Sequence, residues 1–190
     1  MSVAEAPSPH DERDANNVAR APLHTRNIVL QGYRRADGLY DIEGRLRDTK
    51  SYDRESHGVK VRAGDPIHDM LLCMTVGRDL VIREVRVESI VVPYAGYCDA
   101  VGPDYRKLQG LTIASGFMRE VRRLVGGAQG CTHLTELIGA VATAAFQTMS
   151  VELNASNTER PFQIDGCYAL KSDGAIVKAF HPTWYAGQPD

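Results

Sequence analysis

The sequence predicts an α+β fold, in which an antiparallel β-meander is followed by helices packed on one face of the sheet. Two observations carry this prediction. Residues that alternate between apolar and polar, as in strands with one face in water, occur before about residue 90. Apolar residues at helical spacing come only after residue 116. Strands first and helices later is the pattern typical of the α+β class.

Four strands are predicted in the first half of the chain. Ala36-Asp37-Gly38 is a hairpin signal between the first two, and Gly77-Arg78-Asp79 is a turn signal between the last two. The polar, charged segment 48–65 is predicted to be a connection. The predicted strands are residues 27–34, 39–46, 67–76 and 80–90.

Two helices are predicted in the second half. Glycines at 126, 127 and 130 end the first helix and open the turn before the second. Segments 93–103 and 154–161 are predicted loops, and Ser172-Asp173-Gly174 predicts a late hairpin. The apolar stripes are Phe117, Val121, Leu124 and Val125 in the first helix, and Leu134, Leu137, Ile138, Val141, Ala145, Phe146 and Met149 in the second.

Length and composition fit one globular domain. The 190 residues are 43% hydrophobic and 24% charged, with a net charge of -2. Residues 1–22 are polar and aperiodic, which predicts a disordered N-terminal tail before a single domain over 23–190. No basic block favours nucleic acid as a partner, and no apolar run favours a membrane. We therefore expect a cytoplasmic protein whose cysteines are thiols or ligands, with a homo-oligomer left open.

Cys131 is the first candidate for chemistry, because it stands at the glycine-led start of the second helix. Unpaired N–H groups and the helix dipole at such a place favour a thiolate, hence nucleophilic attack or metal binding. The same N–H groups, at Cys131 and Thr132, could polarise a carbonyl oxygen. The alternative is that Cys131 is a small buried hydrophobic residue at a tight helix start.

Four more residues could act with Cys131. His133 and Glu136 share a helical face, so they could bind metal or act as a base and its orienting carboxylate; the alternative is a surface pair. His68 and Asp69 open the third strand, where neighbouring side chains point to opposite faces. Only one of these two can therefore share a site with Cys131.

Other motifs are weak or missing. Cys73 is predicted to be core, whereas Cys98 lies in a loop and Cys167 in a short late segment. No CxxC pair predicts a zinc ribbon, so a metal site would have to be assembled from distant segments. No GxSxG, P-loop, GxGxxG or HExxH motif is present.

Several short motifs together carry a resemblance to a known family. They are 32–35 (GYRR), 37–44 (DGLYDIEG), 66–70 (PIHDM), 130–137 (GCTHLTEL), 167–170 (CYAL) and 182–185 (PTWY). Over about residues 23 to 185 the chain resembles the bacterial DUF2889 family. The resemblance implies a soluble enzyme of aromatic-acid catabolism that acts on an aroyl- or acyl-CoA.

The chain is also similar, more loosely, to iron–sulfur scaffold proteins of the NifU type. That resemblance implies a sheet Asp, a loop Cys and a helix-start Cys as ligands, which Asp69, Cys98 and Cys131 match in order. The chain departs from the pattern at two places. His68 stands where that family has a strand Cys, and His133 follows Cys131, whereas the family's His precedes its Cys.

Three functions are weighed. The leading hypothesis is hydrolysis of CoA thioesters, which requires no cofactor; His68, His133 or Asp69 activates water, or Cys131 attacks. Its candidate phosphate-binding cations are Arg34, Arg35, Arg122 and Arg123. The alternative is a protein that binds zinc, iron or a cluster through Cys98, Cys131, Asp69 and His133. The third is a binding module without chemistry.

Overall fold

The computed structural model describes residues 18–56, 58–154 and 159–188, and its centre is an antiparallel sheet. The strands are β1 (His24–Arg34), β2 (Tyr40–Lys50), β3 (Arg54–Ser56), β4 (Val59–Val61), β5 (Pro66–Val76) and β6 (Ile82–Val91). Four of them form one sheet in the order β1-β2-β5-β6, while β3 and β4 form a separate hairpin. This meander is the sheet that the alternating pattern predicts.

Helices follow the sheet. They are α1 (Phe117–Val125), α2 (Thr132–Thr148), α3 (Ser150–Leu153) and α4 (Ala175–Phe180), with 3-10 helices at Gly102–Leu108, Gly127–Gln129, Tyr168–Leu170 and Pro182–Trp184. The predicted α+β fold class is confirmed. None of the described helices combines the length and the apolar character that a membrane span needs.

The core lies between one face of the sheet and α2. Alternate residues of β2 and β5 point to this face, and the apolar stripe of α2 covers them. Each fully buried aliphatic side chain contributes about 1.5–3 kcal/mol relative to an exposed one. The central contributors are Ile42, Leu46, Met70, Leu72 and Met74 from the sheet, and Leu134, Leu137, Ile138 and Val141 from α2.

Gly44 allows α2 to approach β2 closely. A Cβ atom at Gly44 would lie 2.6 Å from Cγ2 of Val141 and 3.0 Å from Cδ1 of Leu137. We therefore expect Gly44→Ala to lower the free energy of unfolding by about 1–3 kcal/mol, as overpacking does. Urea unfolding measures the loss.

Gly139 of α2 provides the matched control for Gly44. The nearest atoms to a Cβ there are those of Met118 at 3.7 Å, an ordinary contact. Gly139→Ala should raise the free energy of unfolding by about 0.5–1 kcal/mol, because alanine favours a helix interior. Equal stabilities of the two variants would contradict the close approach of α2 to β2.

Two segments have a conformation in the structure that differs from the predicted one. Segment 48–65 is not a plain connection, because β2 runs on to Lys50 and the β3–β4 hairpin follows. The predicted hairpin at 172–174 is wrong: the turn leads into α4, which buries Val177. Pairing with β1 extends β2 over polar residues, and the buried Val177 anchors α4. Residues 1–17 of the predicted tail and 155–158 of a predicted loop lie outside the described residues.

Candidate functional site

Three polar residues form a row across one end of the sheet. Arg26 of β1 pairs directly with Asp48 of β2, and Asp48 pairs directly with His68 of β5. Directly opposite residues of antiparallel strands place their side chains on the same face, about 4.5–5.5 Å apart. Asp48 is two residues after the buried Leu46, so it faces α2. A register shift after Asp48 then interrupts the regular pairing of β2 and β5.

Asp48 is fully buried and is held by cations and imidazoles. Nε and Nη2 of Arg26 donate to its two carboxylate oxygens at 2.8 Å each. Nδ1 of His68 lies 3.1 Å from Oδ2, and Nε2 of His24 lies 3.5 Å from Oδ1. Burial alone would raise the pKa of Asp48, but the two hydrogen bonds and the charge of Arg26 outweigh burial and bring the pKa below its ordinary value. The carboxylate is therefore ionised at neutral pH.

The first turn of α2 brings a thiol and another imidazole to this row. His133 places Nε2 3.6 Å from Oδ2 of Asp48, and its ring lies against that of His68 with centroids 3.8 Å apart. Sγ of Cys131 is 3.7 Å from Nδ1 of His133. We call the following residues the Asp48 cluster: His24, Arg26, Asp48, His68, Cys131 and His133.

Tyr105 and Gly130 position the helix start. The buried Tyr105 hydroxyl accepts from the Cys131 N–H at 2.9 Å and lies 3.1 Å from the Cys131 carbonyl. A Cβ at Gly130 would lie 2.0 Å from the carbonyl oxygen of Val125, so only glycine fits this turn. No side chain caps α2 among the described residues. The N–H groups of Thr132 and His133 therefore have no acceptor within the helix.

His68 and His133, at the centre of the Asp48 cluster, are kept in their neutral form. Burial lowers the pKa of His68, and the neighbouring His133 lowers it further. Burial and the charge of Arg26 lower the pKa of His133. Asp48 opposes both shifts without reversing them. Each imidazole therefore has a nitrogen lone pair available at neutral pH, as a base or a metal ligand requires.

These shifts predict how stability depends on pH. Because the folded pKa values of His68 and His133 lie below the ordinary 6.5, the unfolded chain binds more protons as pH falls through that value. The free energy of unfolding should therefore decrease from about pH 7.5 to about pH 5.5. Urea unfolding at a series of pH values measures it.

The double variant His68→Gln with His133→Gln should flatten that pH dependence. His181, which is outside the Asp48 cluster, serves as the control, and His181→Gln should leave the slope unchanged. A wild-type stability that is constant over this range would contradict the lowered pKa values.

Two cavities flank the start of α2. A cavity of about 360 Å³ reaches Cys131 and has no charged residue in its wall; it is lined by Tyr94, Tyr97, Cys98, Val101, Ala128, Gly130 and Cys131. A cavity of about 610 Å³ lies between α1 and α2 and contains charged groups; it is lined by Met118, Arg122, Gly126, Gly127, Thr132, Thr135, Glu136 and Gly139. Cys131 thus borders the smaller cavity, and its neighbour Thr132 borders the larger one.

Comparison with known proteins identifies the family. The family model described as "Protein of unknown function (DUF2889)" matches residues 24–147, which is more than half of the chain. The chain belongs to the DUF2889 family. The whole Asp48 cluster lies within the matched residues of this DUF2889 chain. No curated protein and no solved structure matches it, and the looser similarity to NifU-type scaffolds is not shown.

The structure decides between His68 and Asp69. His68 faces α2, whereas Asp69 points to the opposite face of the sheet and accepts two bonds of 2.8 Å from Arg45. The hypothesis that Asp69 acts with Cys131 is therefore corrected: Asp48 supplies the carboxylate. The ligand set of Asp69, Cys98 and Cys131 is not assembled for the same reason.

The predicted cations also separate. Arg34 lies eight residues beyond Arg26 on β1, roughly 27 Å away along the strand. Arg35 is beside it and pairs with Asp37 and Asp41. Neither residue is near the Asp48 cluster, so the structure does not place them with the site.

The helix α1 carries the other two predicted cations. Arg123 donates to Glu120 at 2.8 Å and is exposed, whereas Arg122 lines the larger cavity. Glu136 also lines that cavity, where it accepts from Nη1 of Arg26 at 2.7 Å. Glu136 therefore orients Arg26, and within the described part of the chain it acts on His133 through its charge and not through a hydrogen bond.

The cysteines differ in setting. Cys73 is buried, as predicted; burial raises the pKa of its thiol to about 11, so it stays protonated. Cys167 is exposed, and Cys98 shares the smaller cavity with Cys131. Only Cys131 contacts a histidine among the described residues.

Four residues of the site were not predicted from the sequence: His24, Arg26, Asp48 and Tyr105. A signal for Asp48 was present, because the inward positions 40, 42, 44 and 46 of β2 continue to 48. The run of polar residues after 46 obscured it. Arg26 and His24 carry no such signal, because every residue of β1 is exposed.

Proposed function

We propose that this DUF2889 chain hydrolyses CoA thioesters with Cys131 as the nucleophile. The observation that carries the proposal is the order of contacts from Cys131 through His133 to Asp48, at 3.7 Å and 3.6 Å. Thiol, imidazole and carboxylate in this order are the arrangement of cysteine hydrolases on unrelated folds. Contacts of this length are common before a substrate binds.

His133 activates the thiol in the first step. Its Nε2–H faces Asp48, so Nδ1 accepts the proton of Cys131. The thiolate attacks the thioester carbonyl carbon, and the N–H groups of Thr132 and His133 stabilise the oxyanion. The bond from carbon to the CoA sulfur then breaks, and CoA leaves as a thiol with the proton from His133. The product is an acyl group bonded to Cys131.

His68 completes the reaction. With Nδ1 donating to Asp48, Nε2 is the nitrogen that takes a proton from water. The hydroxide attacks the acyl carbon, the bond to Cys131 breaks, and the proton that His68 took from water passes to the thiolate of Cys131. One water is consumed, and one carboxylic acid and one CoA thiol are released. Arg26 and Glu136 keep Asp48 in place during both steps.

The aromatic acyl group and the setting in aromatic-acid catabolism come from the family resemblance. The experiment is to supply the purified protein with benzoyl-CoA, phenylacetyl-CoA and acetyl-CoA and to measure release of CoA thiol. Turnover of an aromatic thioester is expected without added cofactor. No turnover with any of the three would contradict thioester hydrolysis.

Metal binding is the second candidate, and one observation favours it. Asp48, His68 and His133 each offer a ligand atom, and these atoms lie within 4.8 Å of one another. Two imidazoles and a carboxylate suit zinc or iron. Against this, Arg26 engages both oxygens of Asp48, so a metal ion there would lie beside a guanidinium of the same charge sign.

Metal analysis separates the two candidates. Protein purified without a chelating tag is assayed for zinc and iron, beside His68→Ala. Stoichiometric metal that is lost in the variant would favour the metal site. Metal-free protein that hydrolyses thioesters would favour Cys131 as the nucleophile.

A further inference from the structure

The two cavities beside α2 differ in whether their walls carry charged side chains, and this difference indicates how a substrate lies. The smaller cavity reaches Cys131 and is walled by uncharged residues, including Tyr94 and Tyr97. The larger cavity is lined by Thr132, the next residue, and its wall holds Arg122 together with Glu136, whose carboxylate is paired with Arg26. A thioester carbonyl held at the turn between them would therefore have one substituent in each cavity.

We propose that the smaller cavity binds the acyl group of the thioester, which is uncharged and preferably aromatic. The larger cavity binds its phosphorylated carrier, the CoA part of the substrate, through Arg122. This assignment rests on the proposed thioester hydrolysis. It gives Tyr97 and Arg122 separate roles in binding, and both are predicted to act without entering the chemical steps.

The environment of Arg122 supports the carrier side. Its neighbours on α1, Arg119 and Arg123, both pair with Glu120. Arg122 makes no ion pair within the described part of the chain, so its guanidinium is available to an anion. Gly126 and Gly127 lie in the same wall, where the backbone is open to a bulky group. Arginine binds phosphate oxygens with two parallel bonds, which suits the phosphates of a nucleotide carrier.

The environment of Cys131 supports the acyl side. No cation in the smaller cavity would pair with a charged acyl group, so a carboxylate there would lose water without gaining a partner. Tyr94 and Tyr97 instead place aromatic side chains in this wall, against which an aromatic acyl group could pack. Tyr97 is 83% exposed, which leaves its ring available to cover a bound group.

A truncated substrate tests the carrier side. Arg122→Gln should raise KM for benzoyl-CoA about tenfold, as loss of a charged hydrogen bond does, with kcat retained. KM for the benzoyl thioester of N-acetylcysteamine, which has no phosphate, should be unchanged. Arg119→Gln is the matched control on α1, and it should leave both values unchanged. An equal rise with both substrates in Arg122→Gln would overturn the carrier assignment.

Acyl selectivity tests the other side. Wild type should prefer benzoyl-CoA over succinyl-CoA, whose acyl group is charged, by at least about tenfold in kcat/KM. Tyr97→Ala should lower kcat/KM for benzoyl-CoA about tenfold and leave that for acetyl-CoA within about twofold. A preference for succinyl-CoA, or equal losses with benzoyl- and acetyl-CoA, would overturn the acyl assignment.

Direct binding of CoA keeps this inference separate from hydrolysis. Calorimetry with CoA alone should show binding to wild type and to Arg119→Gln, and about tenfold weaker binding to Arg122→Gln. Arg122-dependent binding in a protein without turnover would support the carrier site while the proposed hydrolysis fails. If the protein hydrolyses thioesters but wild type and Arg122→Gln bind CoA equally well, the carrier site is overturned and hydrolysis stands.

Discussion

Asp48→Asn is expected to lower the free energy of unfolding by about 3 kcal/mol and to abolish thioester hydrolysis. The substitution removes the buried negative charge at the centre of the cluster, which both Arg26 and His68 contact. Breaking a buried ion pair typically costs about 3–5 kcal/mol, because the remaining charge stays desolvated. We expect a loss at the lower end of this range, because the Arg26 side chain is 30% exposed and keeps its bond to Glu136. Urea unfolding and release of CoA thiol measure the two effects.

Asp69→Asn is the matched control for Asp48→Asn. Asp69 makes the same two-bond pairing with Arg45, at 2.8 Å and 2.8 Å, but on the opposite face of the sheet. Because Arg45 is 53% exposed, water compensates its charge, and the loss should be about 1 kcal/mol or less. Hydrolysis should be unaffected. Equal losses of activity in both variants would contradict the assignment of the site to the α2 face.

Cys131→Ala is expected to lower kcat/KM for benzoyl-CoA by at least about 10³-fold. Removal of a nucleophile typically costs about 10³–10⁶ in rate, because the covalent route is lost and only oxyanion stabilisation and binding remain. Stability should change by less than about 1 kcal/mol, because Cys131 is only partly buried and replacement by alanine removes one atom. Steady-state release of CoA thiol is the measurement, and Cys167→Ala, at an exposed thiol outside the Asp48 cluster, should keep the wild-type rate.

The acyl-enzyme gives this prediction a second readout. His68→Gln should slow deacylation more than acylation, so that an acyl group accumulates on Cys131 and is detected by mass spectrometry of the intact protein. If Cys131→Ala retains its rate while His68→Gln loses it, water attacks the thioester directly. That result would contradict Cys131 as the nucleophile while leaving the pair of Asp48 and His68 in its role.

The sequence predicted the strands and helices well where apolar residues recur at a regular spacing. The alternation of 39–46 and the apolar run within 67–76 predicted β2 and β5, and the stripe from Leu134 to Met149 predicted α2. Glycines at 126 and 130 predicted the start of α2 because close backbone contacts exclude a side chain there. Patterns of this kind failed at 48–65 and 172–174, because the β3–β4 hairpin pairs mostly polar residues and the turn at 172–174 leads into a short helix.

By itself, the sequence determined that Cys131 and His133 share a helix start and that either His68 or Asp69 could meet them. Spacing along a helix or a strand suffices for those statements, because side-chain direction there follows backbone periodicity. The tertiary structure alone decided that His68 faces inward and that Asp48 is the buried carboxylate. The reason is physical: a charge at position 48 can be buried only when Arg26, 22 residues away, and the imidazoles of other elements surround it, and no local pattern encodes such contacts.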